Sequence, residues 1–590
     1  MSIRTKRLLG GAAAVGLVLG AGVVAVSSAA AEDEPGDTTD IQMLAFNDFH
    51  GALEPPEGSG GELVELDDNG DEHTVEAGGV EYLATHLDEA REGHDNSVTV
   101  AAGDLIGGSP FMSAAFHDEP SIESLNTLGM DVTSVGNHEF DEGFDELKRV
   151  QDGGCHPDDG CVDPDNPYEG ADFPFLGANV VDEDSGMPVL PPAWVKKFDD
   201  GSKIGFIGMT LEGTDEIVSK DGIEGLDFED EVESANYYSK LLEMVGVNGI
   251  VVLLHEGGLP ESPAYNYDCN SSGSGAGISG PVVDIAENLD PQIDAVVSGH
   301  THEAYDCSID DPAGDPRLVT SGASNGRLIT DITMTYDFEA RDIVRTSMEA
   351  TNRAVTRDVD PDPDQTALID KYGELADPIA DEPVGHIAED IPQGEDRSVE
   401  TPLGDLIADI QLAATAEGDA GAQIAFMNPG GIRADLLYEA GDDEGDGVVT
   451  YGEAFTVQPF SNYLVTMDLT GEQIVTLLQQ QFSGSNAEEN LMLQPSEGFT
   501  YTVDSSADGE DKVQADTVAL DGEAIEADQV YRVTVNSFLA GGGDGFEVLT
   551  EGENAVDGGD DLEALKAWFA ENSSESDPVE APAADRVTVE

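Results

Sequence analysis

Basic residues are scarce in this chain. Against 123 aspartates and glutamates stand 24 lysines and arginines, a formal net charge of −99 over 590 residues. Nucleic-acid polymers need a basic footprint, so a surface of this sign should repel them. Cysteine is rare too. There are four, Cys155, Cys161, Cys269 and Cys307, and none has CxxC spacing. That argues against a zinc–thiolate site. Long apolar runs are missing beyond the N-terminal segment, so no later stretch is suited to cross a membrane. The closing "PAADRVTVE" has no hydrophobic tail, and no internal repeat is present.

The acid that is present runs along the whole chain. The plain reading is a highly solvated surface. The sharper reading is adaptation to high salt, where screening relieves self-repulsion. The sharper reading makes a prediction. Melting temperature should rise steeply with potassium chloride up to molar concentrations, followed by circular dichroism. A flat or falling curve leaves plain solubility.

Hydrophobic residues make up 39%, which suits globular domains, and the length calls for two or more of them. Arg4, Lys6 and Arg7 precede an apolar, Gly/Ala-rich stretch, Leu8 to Val26, and small residues follow near Ala31. This is the pattern of a signal peptide over residues 1–31, with a retained anchor helix as the alternative. The even cysteine count fits export and two disulfides. Three pairings are possible, and short loops favour Cys155–Cys161 with Cys269–Cys307.

Residues 40–355 alternate strand-like and helix-like runs, the texture of an α/β domain. Residues 356–383 read as a connector, with a Pro/Asp-rich hinge and a helix over Gln365–Ala376. Residues 384–590 read as a second, smaller α/β domain. Within it, Ala570–Ala584 is expected to be a surface excursion before the final "RVTVE".

The chemistry lies where the N-terminal strands end. "IQMLAFNDFHG" ends in Asp48 and His50, and "SVTVAAGDLIGG" in Asp104. "DVTSVGNHEFD" ends in Asn137, His138 and Asp141. "GIVVLLHEGG" ends in His255, and "IDAVVSGHTHE" in His300 and His302. One such residue alone is ordinarily a turn or cap residue. Seven candidate ligands at five successive strand ends are not explained by turns, because strand carboxyl ends in α/β sheets converge on one crevice. Mixed His, Asp and Asn ligands suit two divalent ions such as zinc, manganese, iron or cobalt, which can clamp a phosphoryl displacement.

These blocks, in this order, resemble a calcineurin-like metallophosphoesterase. With the second domain, the chain resembles the secreted 5'-nucleotidase/UDP-sugar hydrolase family. The resemblance implies a four-layer metallophosphoesterase β-sandwich flanked by helices, followed by a smaller α/β nucleotidase domain. It implies one metal site of Asp48, His50, Asp104 and His302, and another of Asp104, Asn137, His255 and His300. Asp104 then bridges. His138 becomes the catalytic histidine facing phosphate, Asp141 its orienting partner, and Glu139 and Phe140 structural. The implied reaction is attack of metal-activated water on a nucleotide phosphorus, with no covalent enzyme intermediate.

In the second domain, "AFMNPGGIRADL", "TVQPFSNYL" and "VNSFLAGGGDGF" resemble the nucleotidase base-binding blocks. By that resemblance Phe460 and Phe538 sandwich the base and Asp544 binds ribose. Asn428, Gly430, Gly431, Arg433 and Asn462 complete the substrate side. The family often places two arginines before its "LGxLIAD" block. Here there is one, Arg397, with Gln393 a helical turn earlier. "DDEGDGVVTYGE" fits a calcium loop through Asp442, Glu444, Asp446 and Glu453, but also fits the family framework before Phe460. Two rival functions are a 2',3'-cyclic nucleotide phosphodiesterase/3'-nucleotidase and a non-catalytic surface binding protein. The intact "GGIR" and Asp141 speak against the first, and the complete ligand set against the second. The expected partner is a small nucleotide. No membrane association is expected once the signal is removed, and the expected location is extracellular or the cell wall.

Overall fold

A computed structural model describes residues 38–590, except 57, 68, 158, 219–221, 271, 272, 274, 395, 417, 419, 440–444, 461, 488 and 489. The proposed signal segment and the calcium-loop residues Asp442 and Glu444 therefore lie outside the described residues.

Three parallel strands, β1 (Thr38–Phe46), β2 (Ser97–Ala102) and β3 (Val132–Ser134), form the centre of a seven-stranded sheet. Three more, β4 (Lys203–Thr210), β5 (Ile250–His255) and β6 (Ala295–Ser298), form the centre of a six-stranded sheet. A long strand, β7 (Leu328–Asp337), returns antiparallel to β1. The strands are buried on both faces, which is why they read as unbroken apolar runs. Ile41, Met43 and Ala45 of β1 meet Val251 and Leu253 of β5 in a core between the sheets. The alternate residues Leu44 and Phe46 pack outward under helices, as do Val252 and Leu254 on the other side. Helix, sheet, sheet and helix thus make four layers.

Helix α1 (Pro363–Ala380) begins at Asp362, whose side chain accepts from the backbone N–H of Asp364 and Gln365. It extends beyond the predicted Ala376. Pro378 sits in its last turn, where a missing N–H deprives one carbonyl of its donor. The helix is docked on two outer-layer helices, Val80–Arg91 and Glu119–Leu128. Gln365 is fully buried and hydrogen-bonds Ser124, and Thr366 bonds Glu81.

The remaining chain builds a second sheet system. Strand β8 (Ile424–Met427) lies parallel to β10 (Val530–Asn536), which pairs antiparallel with β9 (Tyr463–Thr470). Helix α2 (Tyr451–Val457) starts in a capping box. Thr450 Oγ1 accepts from the N–H of Glu453, and Glu453 Oε2 accepts from that of Thr450. The carboxylate proposed for position twelve of a calcium loop is thereby engaged in starting a helix. Part of the expected surface excursion is structured. Its first residues finish the helix Asp561–Asn572, and Val579 bridges to Ile387. The last strand, Val587–Val589, pairs in parallel with Phe499–Val503. Both expected disulfides are formed. Among the described residues no helix is long and apolar enough to cross a membrane.

Candidate metal centre and cleft

Because β1, β2, β3, β5 and β6 run the same way, their carboxyl ends share one edge, and all seven predicted ligands gather there. The loops are tied together by backbone bonds, with Asp48 N–H donating to Gly103 O at 3.1 Å and His50 N–H to Asp104 O at 3.0 Å. A methyl group at Gly136 would overlap Asp104 Oδ1 and the His255 ring, so this close approach requires glycine. Five of the seven residues hold a left-handed backbone. Their φ values are 50° for Asp48, 47° for His50, 50° for Asp104, 74° for His300 and 58° for His302. Such strain costs about 1–3 kcal/mol per residue and collects at functional sites.

The donor atoms suit cations. Asp48, His50 and His302 offer atoms within 4.8 Å of one another, and so do Asp104, His255 and His300. His50 Nε2 and His302 Nε2 are 3.1 Å apart. Asn137 Oδ1 lies 3.1 Å from His300 Nδ1. The far nitrogens are engaged by backbone carbonyls. His50 Nδ1–H donates to Gly107 O at 2.8 Å and His255 Nδ1–H to Ala102 O at 2.7 Å. That tautomer leaves both Nε2 lone pairs facing the centre. His255 Nε2 is 2.9 Å from Asp104 Oδ2, yet makes no hydrogen bond.

Burial pushes His50 down to about 4, and burial together with His255 does the same to His300, so both rings are neutral, as a cation would need them. Burial would raise Asp104, but His255 and His138 hold it well below the usual carboxylate range. Burial opposes charge on His255 as well, yet Asp104 drives it up to about 10. Asp104 and His255 thus hold each other charged at the point where the donor atoms converge. The residues fit a pair of divalent cations.

His138 stands against this set, with a ring nitrogen within 4.8 Å of donor atoms of both His50 and Asp104, although the family resemblance gives it no ion to hold. Its backbone N–H donates to Asp104 Oδ1 at 2.9 Å, and its Nδ1 lies 2.8 Å from Asp141 Oδ2. Burial lowers its basicity, but Asp141 and Asp104 outweigh this and raise it to about 9. Glu139 is structural in a specific way. Its carboxylate accepts the backbone N–H of Asp104 at 2.9 Å and of Leu105 at 2.8 Å, and also that of Gly136, pinning two ligand loops.

The opposite wall comes from the second sheet system. A cleft of about 810 Å³ is lined by His50, Asp104, Asn137, His138, His300 and His302 on one side and by Arg397, Asn428, Arg433, Phe460, Phe538 and Asp544 on the other. Gly430, Gly431 and Asn462 line it as well. The Phe460 ring lies 6.3 Å from the His138 ring, with Arg433 over its face at 5.7 Å. Asn428 Nδ2 donates to Asp544 Oδ2 at 2.8 Å, and Asn536 Nδ2 to Asn428 Oδ1 at 2.9 Å. Asn462 Oδ1 accepts from Ser537 Oγ at 2.9 Å and from Phe538 N–H at 3.3 Å. Gln393 does not share a helix with Arg397. No described residue between 391 and 400 is helical, and the Gln393 N–H donates to Asp435 at 2.7 Å.

Residues 41–304 match the calcineurin-like phosphoesterase family, and residues 383–551 match the 5'-nucleotidase C-terminal domain. The chain belongs to the 5'-nucleotidase family of calcineurin-like phosphoesterases. It is 32% identical over 534 residues to the endonuclease YhcR of Bacillus subtilis, covering 90% of this chain and 39% of that one. It is 33% identical over 536 residues to the cell wall protein Lmo0130 of Listeria monocytogenes, covering 87% and 64%. It thus spans well under half of the first relative and under two thirds of the second. A 5'-nucleotidase precursor from Thermus thermophilus has a similar structure, with a TM-score of 0.67 and 25% identity, covering 93% of this chain and 99% of that one.

Several site residues of this family member were not foreseen. Asn325, left-handed at φ 56°, lines the cleft and donates its N–H to Asp48 O at 2.7 Å. Asn47 Nδ2 donates to Asp48 Oδ2 at 2.5 Å and to Ala323 O at 2.6 Å. Asp118 accepts the Gly107 N–H at 3.2 Å, and so steadies the carbonyl that orients His50. The "NDFHG" block contained the signal for Asn47. Nothing local marked Asn325 or Asp118.

Proposed function

We propose that this chain hydrolyses phosphate esters of small nucleotides as a metal-dependent 5'-nucleotidase. The observation that carries the proposal is the shared cleft, with a cation-binding set on one wall and two aromatic rings with an Asn–Asp pair on the other. The proposed division is 40–355 for the phosphate chemistry, 384–590 for reading the nucleotide, and 356–383 joining them. Asp48, His50, Asp104 and His302 would hold one ion, and Asp104, Asn137, His255 and His300 the other. Bound there, two divalent ions would supply charge for the phosphoryl oxygens and a water made acidic. His138, kept protonated by Asp141, faces the same space and can donate to phosphate or to the leaving oxygen. Arg397 and Arg433 contribute positive charge on the far wall. The Asn428–Asp544 pair presents polar atoms for ribose hydroxyls, and Phe460 and Phe538 present faces for a base.

The family relationship to an endonuclease raises polymer cleavage as a second activity. The charge of −99 weighs against it, because a polyanion gains nothing from this surface. We propose an exported or cell-wall location on the N-terminal pattern, the two disulfides and the resemblance to a cell wall protein.

The test separates the two walls. Phe460→Ala or Phe538→Ala should lower kcat/KM for a 5'-nucleotide tenfold to a hundredfold, about 1–3 kcal/mol. Hydrolysis of p-nitrophenyl phosphate, which has neither base nor ribose, should change little. Asp48→Asn should abolish both. Equal loss of both substrates in the phenylalanine variants would make the rings packing residues. Loss of neither would remove the second domain as the nucleotide reader.

A further inference from the structure

A second convergence of imidazoles and carboxylates lies beside the cleft. His117, left-handed at φ 52°, precedes the helix Glu119–Leu128. Its ring stacks on His156, with centroids 3.7 Å apart and planes 13° from parallel. His156 belongs to the loop closed by Cys155–Cys161. Glu142 and Glu146 come from the segment just after His138 and Asp141. One donor atom from each of His117, His156, Glu142 and Glu146 lies within 4.8 Å of the others. His117 Nδ1 is 2.7 Å from Glu142 Oε2, and His156 Nε2 is 4.0 Å from Glu146 Oε2. Arg149 Nε holds the other oxygen of Glu146 at 2.8 Å, leaving Oε2 turned toward His156.

The far nitrogens are served by one more acid. His117 Nε2 and His156 Nδ1 face Asp159 Oδ2 at 3.0 and 3.5 Å. The Asp159 N–H also donates to His156 Nδ1 at 3.2 Å, which places the proton of that ring on Nε2. At His117 the carboxylate on the far nitrogen stabilises the tautomer whose near lone pair is open to a cation, and at His156 a cation would displace the proton from Nε2 to Nδ1, where Asp159 Oδ2 can accept it. The plainer explanation is an ion-pair network with protonated rings. Two imidazolium rings stacked at this distance repel each other across their faces. One dication between the near nitrogens places the same charge between Glu142 and Glu146 instead. Two imidazoles and two carboxylates are a donor set for zinc and neighbouring transition metals.

We propose that His117, Glu142, Glu146 and His156 form a third cation site, separate from the paired centre, that takes a divalent transition-metal ion. It would join three segments: the turn at His117, the stretch after Asp141, and the disulfide loop. His117, Glu142 and Glu146 line a pocket together with His138, Asp141 and Phe460, so the ion would brace the back of the His138–Asp141 pair.

The test counts zinc in the full-length chain, stripped with chelator, reloaded with zinc chloride and desalted. Wild type should retain three equivalents, and His156→Ala and Glu146→Gln should each retain two. In the Asp104→Asn background one equivalent should remain, and its addition should raise the melting temperature. That rise should disappear when His156→Ala is added. Far-UV circular dichroism in chelator shows that each variant folds, and Glu146→Gln serves if His156→Ala does not. Two equivalents in wild type, unchanged by His156→Ala and Glu146→Gln, would overturn the site while leaving the paired centre and the nucleotidase reading intact. A stability that follows pH and ignores zinc would likewise identify an ion-pair network.

Discussion

Asp104→Asn should cost the paired centre both ions and end phosphate release in the same step. Asp104 is 1% exposed and stands between the two groups of ligands. Its Oδ2 is 2.9 Å from His255 Nε2 and 3.9 Å from His50 Nε2, while Oδ1 receives the backbone N–H of His138. An amide of the same shape keeps the packing but loses the charge and one of the two acceptor oxygens. It cannot bridge two cations. Neither half of the centre then has enough anionic character to hold its ion. The expected fall in kcat/KM is about 10³-fold or more, since each electrostatic stabiliser of a transition state is typically worth 10²–10³. Elemental analysis and phosphate release on one preparation check it. Two ions retained in the centre with near-normal turnover would remove the bridging role.

His138→Ala should do the reverse, with both ions retained and kcat reduced by roughly 10²–10⁴. Its ring nitrogens lie near His50 and Asp104, but its Nδ1 is engaged by Asp141 at 2.8 Å, which turns it to proton transfer rather than to holding an ion. The pH dependence has a definite sign. His138 is raised to about 9, so its protonated form is fully present below that pH and is lost as pH rises through it. A step that needs the protonated ring should therefore fail on the alkaline side. Asp141→Asn removes one of the two carboxylates that raise the ring, and should move that alkaline limb to lower pH. Loss of one metal equivalent in His138→Ala would make the residue a ligand instead. An alkaline limb that stays in place in Asp141→Asn would show that Asp141 does not tune it.

The metal centre was legible because parallel strands force their carboxyl ends together. A residue after β1 and one after β6 must meet if both strands end on the same edge, whatever lies between them in sequence. Some supports behind the ligands were not legible. Asn325 and Asp118 act through backbone N–H and C=O groups of distant loops, and backbone groups carry no sequence signature. The stacked pair His117 and His156 escaped for another reason. Neither follows a strand, so the logic that found His255 and His300 does not reach them. Placing Gln393 one helical turn before Arg397 fails at Pro392 and at Gly394, which is left-handed at φ 79°. The helix that does form starts later, where Thr401 accepts from the N–H of Gly404 and Pro402 takes the first turn. The connector helix runs past its expected end at Ala376 and carries Pro378 inside its last turn, at the loss of one backbone hydrogen bond.

The scattering of the ligands along the chain has a consequence for how the ions are acquired. Asp48 follows β1 of one sheet and His302 follows β6 of the other, so the two are brought together only by the packing of both sheets. A nascent or unfolded chain offers at most the local pairs Asp48/His50 and His300/His302, and no complete site. Capture of the ions is then an event of the finished fold, and binding free energy adds to native stability alone. Contacts this remote in sequence also form slowly. The chain should pass through an ion-free interval in which five strained ligand residues have nothing to hold them. In that interval a chelator in the medium would act on maturation, long before any substrate is present.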